Sequence, residues 1–401
     1  MKLFKSETAF NAFRMGFVCS FSYMIVYISR NTLSAVETEV IEGNIFTETS
    51  IGTLSALFLM CYAIGQLING IIGEKIRANY MICVGLLAAG IGNVIFPFTI
   101  NPFVLNCVIY SICGFSLSMI YAPMTKLVSE NTTSKFASTI CLTFTFASLF
   151  GAPLAGVIAL IFGWKYSFVI AGVLLITMAI VCYVVFWFLE NKGIIKYNQF
   201  KNASKEKGSI KILIENRIIR FTIVAILTGV VRTSVVFWIP TYAMDYLGFT
   251  KSQSTLIFTI ITTIISVAPF SAAFIYKILK NSIYKTLFVS FTVSATAFLA
   301  MFVVKTPYVN LVLLVIALLA SKIADAMLWS FYCPFLKETG MVSTATGFLD
   351  FASYSAAAFS NAVSPYATAA IGWGNLILVW CALMVAGVFC SFKNFPKRSN
   401  V

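Results

Sequence analysis

Apolar runs separated by short clusters of charge, Gly, Pro or Asn set the pattern of this chain. They predict helices near residues 12–38, 51–73, 79–98, 103–128, 136–162 and 165–189, then a second series near 219–246, 252–279, 283–304, 308–336, 342–371 and 374–393. A helix needs about 20 mostly apolar residues to cross the hydrocarbon core of a bilayer, so each run is long enough to span one. Between the series lies the one clearly polar stretch, residues 190–218. It carries Lys192, Lys196, Lys201, Lys205, Lys207, Lys211 and Arg217 against three glutamates, the composition of a linker. The expected organisation is an N-terminal six-helix bundle (1–189), a linker (190–218) and a C-terminal six-helix bundle (219–401).

Composition agrees with a bilayer rather than water as the main solvent. Of 401 residues 60% are hydrophobic and 10% charged, whereas soluble domains carry about a quarter charged. The ten cysteines fall singly in apolar segments (Cys19, Cys61, Cys83, Cys182 and Cys381 among them), with no CxxC pair, and the chain has no histidine. Neither a disulfide framework nor a metal site is expected. Lys2, Lys5 and Arg14 precede a first apolar run too long for a signal-peptide core, with no clear cleavage site after it, so it reads as a retained first helix.

Lys and Arg in short loops stay on the cytoplasmic side of a membrane. Both termini, the linker and the loops holding Lys75/Arg77, Lys135, Lys277/Lys280/Lys285 and Lys337 form one side; the other side's loops hold Glu39, Glu42 and Glu48, with Lys165, Lys251 and Lys305 as cations. The expectation is a multi-pass protein of a cell membrane, of the bacterial inner or plasma membrane type, with both termini cytoplasmic. The net charge of +14 is then a solvated face that orients the protein and requires no nucleic acid.

The two series repeat in sequence. Arg30-Asn31-Thr32 answers to Arg232-Thr233-Ser234, Phe46-Thr47-Glu48 to Phe249-Thr250-Lys251, and Gly163-Trp164 to Gly372-Trp373. Parallel halves related by an axis along the membrane normal are a known plan for solute carriers, with the site near mid-bilayer between them.

Arg30 and Arg232 lie inside helices 1 and 7. An arginine at a helix centre costs roughly 2.5 to 3.5 kcal/mol on insertion scales; the two either snorkel or pair with a carboxylate, or, since these two helices offer no acid at mid-depth, form an anion site. Two guanidiniums facing one cavity each present a planar fork of donors to a phosphate or carboxylate. Tyr23, Tyr27 and Arg30 follow an i, i+4, i+7 pattern and share a face. In helix 10, Lys322 and Asp325 are spaced i, i+3; they either neutralise each other or join the solute, Lys322 as a third cation and Asp325 as its partner or as a proton carrier. Asp350 and Lys126 receive no role.

These residues resemble the major facilitator superfamily, and within it the organophosphate:phosphate antiporters, across essentially the whole chain. Tyr27-Ile28-Ser29-Arg30-Asn31 resembles that family's Tyr-x-x-Arg-Lys-Asn signature. Arg232 before Trp238-Ile239-Pro240-Thr241-Tyr242 resembles its second phosphate-binding arginine and the Trp-x-Pro-Thr-Tyr end of helix 7. Tyr62 and the run Gly65-Gln66-Leu67-Ile68-Asn69-Gly70 sit where the family has a cavity tyrosine and a Lys-x-x-x-Gly run, and Tyr354 matches a second cavity tyrosine. Gly70-Ile71-Ile72-Gly73-Glu74-Lys75 resembles the Gly-x-x-x-Asp-Arg gating loop, whose counterpart at Tyr276-Lys277 has lost the acid. The chain departs from the pattern at Gln66 and Asn31, where the family has lysines, and at Ser148, where it has a histidine.

The resemblance implies an all-α membrane protein of twelve transmembrane helices in two pseudo-symmetric six-helix bundles. It implies a small anionic solute, namely an organophosphate, phosphate or carboxylate, bound by Arg30, Arg232, Tyr27, Tyr62, Gln66, Ser148 and Tyr354, with Gly70, Glu74 and Lys75 as the gating loop; Tyr23, Lys322 and Asp325 join the candidate site from the helix patterns alone, and Lys322 and Asp325 are not part of the family's pattern. A phosphorylated solute exchanged for inorganic phosphate is the first reading. The pattern Tyr-x-x-Arg-x-x-Leu-Ser also resembles the anion:cation symporters of sugar acids, in which Asp325 or Glu74 would couple a proton. A drug exporter and a transporter-like sensor stand behind these. No Walker loop, histidine or metal-ligand cluster is present, so neither an enzyme nor a cofactor is expected. The expected partner is the lipid bilayer, and the expected state a monomer.

Overall fold

A computed structural model describes residues 7–72, 76–131, 134–196, 214, 216–333 and 342–392. Its elements are α1 (Glu7–Glu42), α2 (Glu48–Ile72), α3 (Ala78–Ile95), α4 (Phe103–Ser118), α5 (Tyr121–Asn131), α6 (Ser134–Asn191), α7 (Ile218–Gly229), α8 (Ile239–Asp245), α9 (Lys251–Ile265), α10 (Ala268–Ile278), α11 (Ile283–Val303), α12 (Pro307–Met327) and α13 (Val342–Ser391). They compose twelve spans in two six-helix bundles. Spans 1 to 3 are α1 to α3, span 4 is α4 with α5, and spans 5 and 6 are the two arms of α6. Span 7 is α7 with α8, span 8 is α9 with α10, span 9 is α11, span 10 is α12, and spans 11 and 12 are the arms of α13.

Each paired arm turns at a glycine. Gly163 has φ 72° and Gly372 φ 74° inside otherwise helical segments, a left-handed conformation that costs a residue with a Cβ about 1–2 kcal/mol. The turns fall at the Gly-Trp repeats. Several spans break internally where the sequence demands it. Pro240 and Pro269 lack the N–H that a helix interior uses, and α8 and α10 each begin with proline in their first turn. Span 7 runs through a π-helical segment at Val230–Val235, and span 10 ends in another at Leu328–Tyr332. Such wide turns collect at functional sites.

The outward surface is apolar and the interior holds polar groups, the reverse of a soluble domain. Phe17, Val104, Phe359 and Phe389 are exposed, whereas Ser22, Glu37, Asn106, Asn310 and Asn361 are wholly buried. Hydrocarbon in place of water makes this arrangement favourable. Spans 3 and 6 approach closely at Gly90 and Gly172, where a Cβ on either would meet the other's carbonyl oxygen at 2.9 or 2.6 Å.

Helix ends match the apolar runs to within a few residues, with one consequential difference. α1 continues through Glu42 instead of ending near 38, so Glu39 and Glu42 are helical residues rather than loop residues. Glu48 opens α2, where a carboxylate meets the positive end of the helix dipole.

Candidate functional site

A cavity of about 280 Å³ lies between the bundles, walled by spans 1, 2, 4, 5, 7, 8, 10 and 11. Tyr27, Arg30, Arg232, Lys322, Asp325 and Tyr354 all line it. Span 1 puts Tyr27, Arg30 and Ser34 on the wall because helical spacing aligns them. The π-helical segment of span 7 brings Arg232 there.

The two arginines have different surroundings. Arg30 sits among phenol rings: its guanidinium carbon is 5.1 Å from the Tyr27 ring centre, 4.5 Å from Tyr62 and 5.2 Å from Tyr354. Its Nη1 donates to Tyr62 Oη at 3.3 Å. Among the described residues no carboxylate pairs with it. Such rings stabilise a desolvated cation by roughly 2 kcal/mol without neutralising its charge.

Arg232 is already held. Its Nη1 is 3.5 Å from Asp325 Oδ2, and its Nη2 donates to Ser353 Oγ at 3.1 Å. The other carboxylate oxygen, Oδ1, accepts from Trp329 Nε1 at 2.9 Å and from Thr228 Oγ1 at 3.3 Å. Helices 1 and 7 hold no acid of their own at mid-depth, and the sequence offers Lys322 as one partner for Asp325. In the structure the acid beside Arg232 comes from span 10, the carboxylate pairing kept as the alternative reading, and no ion pair joins Lys322 to Asp325 among the described residues. Lys322, Asp325 and Trp329 follow i, i+3, i+7 on α12 and its π-helical extension, so one face of span 10 delivers all three. The Tyr354 ring, 5.1 Å from the Arg232 guanidinium, stands beside both arginines.

The remaining predicted residues fall around this centre. Tyr23 is buried behind Tyr27, with ring centres 5.1 Å apart, and packs on Tyr121 and Phe144; neither tyrosine belongs to an interfacial belt. Tyr62 lies edge-on to Tyr354 at 5.0 Å. Gln66 is half-buried and is not brought to the cavity wall. Gly70 is in the last turns of α2. The side chain of Ser148, and Glu74 and Lys75 entirely, lie outside the described residues. Asp350, one turn before Tyr354, is half-buried and off the wall.

Sequence reasoning passed over several residues that the fold brings in. Ser353, Trp329 and Thr228 complete the shell of the Arg232–Asp325 pair, and Ser34 continues the span 1 face. Glu37 is i+7 from Arg30 on that same face, a spacing that was available as a signal. It is wholly buried, and its Oε1 accepts from Thr241 N at 2.9 Å and Thr241 Oγ1 at 2.7 Å.

Glu37 belongs to a seam that closes the cavity toward the loops at 43–47 and 246–250. Ser34 Oγ donates to Phe237 O at 2.5 Å, Thr255 Oγ1 to Ala35 O at 3.4 Å, and Asn361 Nδ2 to Ser55 Oγ at 2.6 Å. Lys251 approaches Glu42 at 3.9 Å near the surface, a weak contact in solvent. Each of these contacts joins one bundle to the other.

Comparison with known proteins agrees with this architecture. The chain belongs to the Major Facilitator Superfamily, whose family model matches residues 19–360; it is a multi-pass membrane protein of a family that transports small solutes and is not one of enzymes. The crystal structure of a D-xylose-proton symporter superposes with a TM-score of 0.74, covering 96% of this chain and 98% of that one at 14% identity, which shows the shared fold. The membrane sensor protein UhpC of Salmonella typhimurium (strain LT2) is 31% identical over 77 residues, and that of Escherichia coli (strain K12) 30% over 77 residues. Each match covers 19% of this chain and only 17% or 18% of the length of the relative.

Proposed function

We propose that this protein is a secondary transporter of a small organic anion, in the first reading a phosphorylated solute exchanged for inorganic phosphate, with Arg30 and Arg232 binding the anion. The observation that carries the reading is one cavity holding two guanidiniums beside the Tyr354 ring, of which Arg30 is surrounded by rings and makes no salt bridge among the described residues. Such a cation is costly to desolvate without a counter-charge, and the cargo supplies it. With Asp325 on Arg232, the cavity keeps the charges of Arg30 and Lys322, a balance that suits a dianion such as a phosphate monoester.

Alternating access follows from the two bundles, with 190–218 as the linker, rocking about the site. Closure along the Ser34, Glu37 and Asn361 seam leaves the opposite face as the way in and out, and the cation-rich loops mark that face as cytoplasmic. Tyr23, Tyr27, Tyr62 and Tyr354 shape the pocket, and Gly70, Glu74 and Lys75 take the part of the gating loop on the cytoplasmic side. The empty site disfavours reorientation because two cations would then close on one another, so a second anion must enter before the bundles re-cross. Proteoliposomes loaded with labelled phosphate test this: efflux should depend on an external phosphate or organophosphate, and efflux indifferent to external anions removes obligatory exchange.

A second reading draws on Asp325. An incoming carboxylate that takes over Arg232 displaces Asp325, which then holds a proton, giving proton-coupled uptake of a sugar acid. Uptake abolished by a protonophore and independent of internal phosphate selects this reading over exchange. The short UhpC match keeps a sensing role as a third outcome, the one left if purified protein binds anions but liposomes show no flux.

A further inference from the structure

Glu37 is the one described carboxylate on span 1 that lies wholly inside the protein, and it occupies the joint between the bundles rather than the solute cavity. Its Oε1 takes both the backbone N–H and the hydroxyl of Thr241. Thr241 is in the first turn of α8, behind Pro240, so the carboxyl group serves an N–H that no preceding turn of helix can satisfy. Its Oε2 is buried with no hydrogen-bond partner among the described residues.

The charges around this carboxyl group are of its own sign. Glu48 at the start of α2 and Asp245 at the end of α8 are the charged groups that act on it. On its own helix, Glu39 faces Gly163 and Glu42 faces Lys251 of α9, the cation 3.9 Å from Glu42. Arg30, two turns deeper, is held among tyrosines at the cavity. Among the described residues no salt bridge reaches Glu37. A carboxylate with one oxygen unsatisfied, no cation and acids for neighbours is poorly accommodated as an anion in a dry joint. The same group with a proton on Oε2 keeps both bonds from Thr241 and sheds the charge.

We infer that Glu37 is a proton-binding site of this transporter, occupied while the seam between spans 1 and 7 is closed and emptied when that seam opens to water. The site is separate from the anion cavity and holds whether the cargo is a phosphate, a carboxylate or neither. Linkage fixes the sign: because the closed seam binds the proton and the open one releases it, acid favours closure and alkali favours opening. Proton release on opening follows from the same cycle.

Spin labels carried by non-native amino acids at Val104 and Tyr308 leave the native cysteines in place. Both positions are exposed at the seam end of the molecule, one in each bundle, and their separation reports opening without any transported solute. From about pH 5 to about pH 9 the wild type should shift from a single short distance toward a longer one. Glu37→Gln keeps the acceptor for Thr241 but has no proton to lose, so it should stay at the short distance throughout. Glu37→Asp, which stays ionisable, should keep a pH response. A Gln variant that responds to pH as the wild type does, or a wild type with no response, overturns the proposal and leaves Glu37 as a cap on α8. Anion binding by the Gln variant should be retained, so a failure here is distinguishable from a failure of the anion-carrier reading.

Discussion

Asp325 lies one helical turn from Lys322, yet its carboxylate is paired with Arg232 of another span, 3.5 Å away. Arg232 is thereby a bound cation awaiting a competitor, while Arg30 is caged by three tyrosine rings. An anion entering between them exchanges one partner for another at Arg232 and meets at Arg30 a fork with one hydrogen bond to Tyr62 and no salt bridge among the described residues.

Asp325→Asn removes the competitor. Because Arg232 and Asp325 are both largely buried, the guanidinium loses its counter-charge, and the loss of stability in the absence of anion should be about 3–5 kcal/mol. Added phosphate should then stabilise the variant more than the wild type. Thermal unfolding in detergent with and without phosphate checks both halves of this expectation.

Arginine-to-lysine replacement at position 30 or 232 keeps the charge and removes the planar fork. Each should weaken phosphate binding by about tenfold or more, equivalent to about 1.4 kcal/mol, with little effect on the amount of folded protein. Equilibrium binding to purified protein measures it.

The Tyr354 ring serves both guanidiniums. Tyr354→Phe keeps the ring and should retain most anion binding, whereas Tyr354→Leu loses the ring face from two cations and should lower affinity several-fold. The contrast between the two variants, read in the same binding assay, separates the ring from the hydroxyl.

At Gly372 a Cβ would meet nothing within 4 Å, yet φ is +74°. Gly372→Ala should therefore cost about 1–2 kcal/mol through backbone strain alone. Gly163→Ala adds a contact with Glu39 Oε1 at 3.1 Å and should cost more. Ranked thermal stabilities of the two variants give the comparison.

The spans were readable because bilayer thickness dictates a run length that few other structures need, and charge marks where each run stops. Arg30, Arg232, Tyr27, Lys322 and Asp325 could be singled out because charges and phenols are conspicuous in apolar helices, Tyr354 through the family resemblance, and the fold gathers these six around one cavity. Which charge meets which could not be read. Spacing of i, i+3 favours Lys322 for Asp325, and only the packing of span 7 against span 10, with Trp329 and Thr228 fixing the carboxylate, gives it to Arg232. Glu37 was hidden for a different reason. It stands inside the last expected turn of helix 1, where only its spacing from Arg30 singles it out, and its partner Thr241 comes from the other bundle.

The most direct test of the account is phosphate binding to purified protein in four forms: wild type, Arg30→Lys, Arg232→Lys and the double variant. If both side chains grip one anion, each single change removes most of the affinity, and the double change removes little more. Wild-type affinity in both single variants would contradict the account.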